Sequence, residues 1–111
     1  MPASRYDIII EQGATFAVQL TLRLNSTQAL DLTGYAVRSQ MRKDFADETP
    51  VNFTISNRND PQGSFILGMS ATDTGALEPR KYFYDLEIES PGGTVSRALE
   101  GTVTVKPQVT R

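Results

Sequence analysis

Between Phe16 and Leu24 every second residue is apolar (Phe16, Val18, Leu20, Leu22, Leu24), and Ala17, Gln19, Thr21 and Arg23 fill the places between. A period of two puts successive side chains on opposite faces of an extended chain, so this stretch predicts a strand with one buried and one wet face. The pattern returns in Val51, Phe53 and Ile55, in Phe65, Leu67 and Met69, in Tyr82, Tyr84, Leu86 and Ile88, and in Val103 and Val105. The chain therefore predicts an all-β protein, with antiparallel strands of ordinary length joined by polar connections.

Turn chemistry places the boundaries. Tyr6 to Ile10 predicts a first strand that Glu11-Gln12-Gly13 ends, and the long strand from Ala14 to Leu24 follows up to the polar turn Asn25-Ser26-Thr27. Thr33-Gly34 leads into a strand from Tyr35 to about Lys43, with Ser39 on its apolar side. Asp44 to Thr49 is a charged connection containing Phe45. After Pro50, Val51 to Ile55 is expected to pair with Ser64 to Met69 across the turn-rich segment Asn57 to Gly63. Ser70 is placed to cap a short helical turn over 71–77, with Asp73 near its positive end and Ala76 and Leu77 closing it onto the core. Lys81 to Glu89 and Thr94 to Val105 form a hairpin through Ser90-Pro91-Gly92-Gly93, with a bulge expected at Glu100-Gly101. Seven or eight such strands predict a two-layer antiparallel β-sandwich rather than a closed barrel.

Composition narrows the chemistry more than it narrows the fold. The 111 residues fit a single domain spanning 1–111, with residues 1–5 expected to be flexible or an assembly arm. The absence of His and Cys removes the commonest general base at neutral pH, the commonest zinc ligands and any disulfide. Ser and Thr are plentiful, but a nucleophilic Ser needs an activating base, so no catalytic residue is assigned and no enzyme activity is expected. Asp85, Glu87 and Glu89 lie along one strand face, yet nothing nearby in sequence supplies the desolvation or cleft of a carboxylate pair, so they are taken as a solvated face. Asn57, Asn59 and Asp60 lack the bidentate Glu of a calcium loop and suit an ordinary polar turn. No metal or cofactor is expected. Eleven Lys and Arg against thirteen Asp and Glu give a formal charge of −2 without a basic cluster, which argues against nucleic acid as a partner. Three consecutive isoleucines, Ile8 to Ile10, fall short of a signal peptide and far short of the roughly 20 apolar residues of a membrane helix, so neither export nor membrane association is expected.

Function is then sought on surfaces and edges. Phe83 falls on the polar side of its strand, where an aromatic is either covered by a loop or used at an interface. Tyr6, Ile8, Ile9 and Ile10 near one terminus, and Val109 near the other, are β-prone and can either complete the molecule's own sheets or add to those of a neighbour. These residues are the candidate interface.

Several stretches taken together resemble a known group: Glu11-Gln12-Gly13-Ala14-Thr15-Phe16, Leu30-Asp31-Leu32-Thr33-Gly34-Tyr35, Ser70-Ala71-Thr72-Asp73-Thr74 ahead of Tyr82-Phe83-Tyr84-Asp85-Leu86, and Glu100-Gly101-Thr102-Val103-Thr104-Val105. From Tyr6 to Thr110 the layout resembles small virion structural proteins of tailed bacteriophages, including those of cyanobacterial hosts, and is similar to the N-terminal sandwich domain of phage baseplate upper proteins. The resemblance implies an immunoglobulin-like antiparallel β-sandwich of seven or eight strands, a non-enzymatic component of the tail, neck or baseplate region, made in the host cytoplasm and present in several copies, whose partners are other virion proteins and copies of itself. A capsid decoration protein is one alternative. A sandwich module that binds host glycans is another, with Phe83, Phe45 and Tyr6 as its candidate aromatics.

Overall fold

The computed structural model describes residues 3–110, and Met1, Pro2 and Arg111 lie outside the described residues. The strands are β1 (Ser4–Arg5), β2 (Ile8–Glu11), β3 (Phe16–Thr21), β4 (Ala36–Arg42), β5 (Val51–Asn52), β6 (Thr54–Asn59), β7 (Ser64–Met69), β8 (Lys81–Glu89) and β9 (Val95–Lys106), with one short helix, α1 (Ala71–Gly75), between β7 and β8. They form two sheets. One runs β1-β9-β8-β4-β5 with β2 also on β9, and the other runs β3-β7-β6. The molecule is an immunoglobulin-like all-β sandwich, in which β3, β7 and β6 oppose β4, β8 and β9.

Alternation builds the core. In β8 every even residue from Tyr82 to Ile88 is buried, and in β7 Phe65, Leu67 and Met69 face the same interior from the opposite sheet. Ile8, Ile10, Met41, Phe53, Val103 and Val105 join them in one cluster. Tyr82 fixes the corner between α1 and β8. Its hydroxyl accepts from the Glu78 N–H at 3.0 Å and donates to the Glu78 carbonyl at 3.1 Å, which is the tyrosine corner of sandwich folds. Ser39, on the apolar side as expected, is buried without penalty because its hydroxyl donates to the Asp85 carbonyl at 2.6 Å. Ser70 caps α1 as its position suggests, accepting from the Asp73 N–H at 3.2 Å. Leu77 then closes onto the core while Ala76 stays exposed.

Six expectations need correction. The pairing is not wholly antiparallel, because β1 and β2 lie parallel to β9 in a constant register that is interrupted only at Tyr6 and Asp7. There the Asp7 carboxylate accepts from the Thr102 N–H at 3.0 Å and replaces a backbone partner. Ser4 and Arg5, expected to be loose or an arm, are therefore paired to the chain's own β9. The expected strand Val51 to Ile55 divides at Phe53, whose ring turns into the core while the chain passes from one sheet to the other, so nine strand segments replace seven or eight strands. The strand expected to reach Leu24 stops at Thr21, because Leu22 bonds to Leu30 and the chain reverses around Asn25 to Gln28. Likewise the turn expected from Asn57 begins later: β6 runs to Asn59, a single 3-10 turn spans Asp60–Gln62, and Gly63 closes it at φ 67°. The bulge lies at Ala98, where Leu86 faces Leu99 and Glu87 faces Arg97, and not at Glu100-Gly101. Gly101 is needed for another reason. A Cβ there would run into the Tyr6 carbonyl, so only glycine lets the first strand approach β9.

Candidate functional site

The register of the six-stranded sheet arranges its outward side chains in rows. Asn52, Gln40, Asp85, Glu100 and Arg5 lie side by side across β5, β4, β8, β9 and β1. One row along, Arg38, Glu87 and Arg97 are neighbours, and on the other side Arg42, Phe83 and Thr102 are. The twist of the sheet makes this face a concavity of about 600 Å³, lined by five cations (Arg5, Arg38, Arg42, Lys81, Arg97) and three carboxylates (Asp85, Glu87, Glu100). A chain of net charge −2 thus carries a face with an excess of positive charge.

Four of these eight charges are matched within the face. Arg38 reaches Glu87 at 3.2 Å and Glu89 at 3.1 Å, and Arg97 reaches Asp85 at 3.2 Å. Burial, followed by the neighbouring Glu87, pushes the Asp85 carboxyl up from its ordinary value, and Arg97 opposes the rise. Arg42 and Lys81 have no carboxylate within ion-pair distance among the described residues. They flank an aromatic pair at the end of the concavity where β8 begins.

That pair is Phe45 on Phe83, with ring centroids 5.0 Å apart and planes 23° from parallel. The Lys81 ammonium lies 5.6 Å from the Phe83 ring centre, within range of a cation–π contact. Phe83 is half-buried beneath Phe45, which is itself 85% exposed. The loop holding Phe45 is organised by Asp47, whose carboxylate accepts from the Thr49 N–H at 3.0 Å, the Thr49 hydroxyl at 2.8 Å and the Lys43 N–H at 3.1 Å. Those bonds to Thr49, then the one to Lys43, pull the Asp47 pKa down to about 2. Arg42 also donates to the Asp47 carbonyl and so ties the loop to β4.

The six candidate interface residues do not come together. Ile8 and Ile10 are in the core, 4% and 0% exposed, because the first strand completes the molecule's own sheet and turns these two side chains inward. Ile9 points out, 59% exposed, beside Phe16 and Ala17 rather than near Phe83. Tyr6 is partly exposed, with its carbonyl taken by the Tyr84 hydroxyl. Burial raises the Tyr84 pKa above the ordinary tyrosine range, which keeps that donor protonated. Val109 is exposed past the end of β9. Phe83 alone belongs to the concavity. Sequence reasoning did not foresee that Phe45 would land on it, or that Arg38, Arg42 and Arg97 would surround it. The available signal was a large aromatic inside the Asp-rich connection Asp44 to Thr49, where nothing local can bury it.

No family model and no curated protein matches the chain. Among solved structures, an internalin-like protein of Listeria monocytogenes is similar over 94% of this chain, at 21% identity and a TM-score of 0.47, and the chain spans 28% of that protein's length. A likeness of this strength says nothing about what either protein does.

Proposed function

We propose that this chain is a non-enzymatic structural component of a tailed-phage virion that holds a neighbouring subunit on the outer face of its larger sheet. The observation that carries the docking role is Phe45: a ring left 85% exposed, braced by Phe83 and by a loop tied at Asp47, at the mouth of a charged concavity. An exposed aromatic held by a rigid support loses little entropy on burial, and such residues, rimmed by Arg and Lys, are the usual anchors of protein interfaces. The virion assignment rests on the resemblance in the stretches from Glu11 to Phe16, Leu30 to Tyr35, Ser70 to Thr74 and Glu100 to Val105. In the fold these form the corner after β2 with the start of β3, the approach to β4, the cap and body of α1, and the second half of β9.

Glycan binding is the second reading, favoured by the meeting of two aromatics. The stack weakens it, because Phe45 and Phe83 spend faces on each other rather than lying side by side as a platform. The deciding experiment images intact particles labelled with an antibody to the folded chain. Label at the tail, neck or baseplate is expected, and particles carrying the Phe45→Ala chain should lose it. Label spread over the shell would favour a decoration protein, and particles without label would end the virion reading. A glycan-array signal from the isolated chain that Phe45→Ala abolishes would support the alternative.

A further inference from the structure

The smaller sheet ends in a strand edge that no other strand of the molecule pairs with. In the constant-type immunoglobulin arrangement the first strand lies beside the second, but here β1 and β2 have gone to β9, so β3 is a terminal strand of its sheet. The Leu22 N–H bonds the Gly63 carbonyl and Thr21 faces Ser64. Since bonded and unbonded pairs alternate in an antiparallel ladder, Phe16, Val18 and Leu20 spend their backbone groups on β7, while those of Ala17, Gln19 and Thr21 point outward.

The other edges carry devices that discourage pairing. β5 is two residues long and follows Pro50. β6 has a register break after Ser56, with Asn57 at φ 50° and Arg58 beside it. The edge formed by β1 and β2 is interrupted at Asp7 and carries Arg5 and Glu11. β3 has no charge, proline, glycine or bulge along its whole length. Its core-facing side chains, Phe16, Val18 and Leu20, are only half-buried although they point into the sandwich, so an added strand would complete their cover.

We propose that β3 pairs with β3 of a second copy of this chain, antiparallel about a two-fold axis at Gln19, and joins the two smaller sheets into one of six strands. Identity of the partner follows from symmetry and charge. Antiparallel self-pairing places Ala17 opposite Thr21 of the second copy and Gln19 opposite Gln19, so every outward backbone group meets its complement and no like charges face each other. The outward face of this sheet, with Ala17, Gln19, Thr21, Thr54, Ser56, Ser64, Ile66 and Gly68, carries no charge that would oppose a continuous sheet. One strand edge is a small interface, so the dimer forms reversibly and gains weight where copies are already arrayed. This inference uses the other sheet from the proposed docking face and stands or falls separately from it.

Sedimentation equilibrium from micromolar to near-millimolar chain is expected to show a concentration-dependent dimer. Gln19→Lys sets two ammonium groups opposite each other and should weaken the dimer at least about fivefold. Gln19→Pro removes an outward N–H and should abolish it without breaking the bonds to β7. The chain has no cysteine, so Gln19→Cys offers a readout independent of the proline variant's folding: under mild oxidant it should form a disulfide-linked dimer faster than Thr104→Cys on the outer face of the larger sheet. A chain that stays monomeric at the highest concentration would overturn the proposal. So would a dimer indifferent to Gln19→Lys, or equal cross-linking at the two cysteines.

Discussion

Three donors converge on the carboxylate of Asp47 and hold its pKa at about 2, against an ordinary value of 3.8. A depressed folded-state pKa contributes stability that is fully present above the unfolded value and is lost as the pH falls through the folded one. The loop that carries Phe45 should therefore hold its form at pH 4 and loosen between 3.8 and about 2. An NMR titration of the Thr49 and Lys43 amides should show a midpoint near the lower value, and a midpoint near 3.8 would mean that the carboxylate is not tied. Tyr82 illustrates the opposite kind of residue, one whose polar atom serves only the fold. Tyr82→Phe removes both bonds to Glu78 and leaves a partly buried N–H unpaired, so urea denaturation should show a loss of about 1–2 kcal/mol with no effect on docking.

At the scale of elements, the first strand is the part that most needs explanation, since it joins the sheet through one neighbour only. Ile8 and Ile10 anchor it in the core, the Tyr84 hydroxyl and the Glu100 carbonyl hold Tyr6, and Asp7 bridges the gap at Thr102. All of this requires Gly101. Gly101→Ala pushes a methyl group into the Tyr6 carbonyl and should cost about 1–3 kcal/mol. Hydrogen exchange should locate the damage, with the Tyr6 amide losing protection while the amides of β7 keep theirs. Uniform loss across both sheets would show that the strand is not a separable element. Ile10→Ala, by contrast, opens a cavity in the shared core and should cost about 2–5 kcal/mol throughout.

For the whole molecule, the two outer faces differ in kind. The larger sheet presents paired charges and a braced aromatic, and the smaller one presents neutral residues ending at an unpaired edge. A module with two chemically distinct faces can hold unlike neighbours at once. Phe45→Ala provides the test at this scale. Because the ring is almost wholly exposed, its loss should change stability by no more than about 0.5 kcal/mol, while incorporation into particles should fall sharply. Normal incorporation of a normally stable Phe45→Ala chain would remove the larger sheet from the assembly role.

The sequence alone determined what local physics controls. Alternation marked β7, β8 and most of β9, Ser70 announced its cap, and Tyr82 and Tyr84 declared themselves core by parity. Period two says which face of a strand is buried, but it does not say which strand lies beside it or in which direction. Tertiary structure decided that Ile8 and Ile10 lie in the molecule's own core, that the chain changes sheets at Phe53, and that the bulge falls at Ala98. It also decided the two features on which the proposals rest, Phe45 on Phe83 and the open side of β3, because both arise from long-range pairing. Residues 38 positions apart in the chain meet only when β4 and β8 are aligned, and an edge exists only once every other strand has taken its partner.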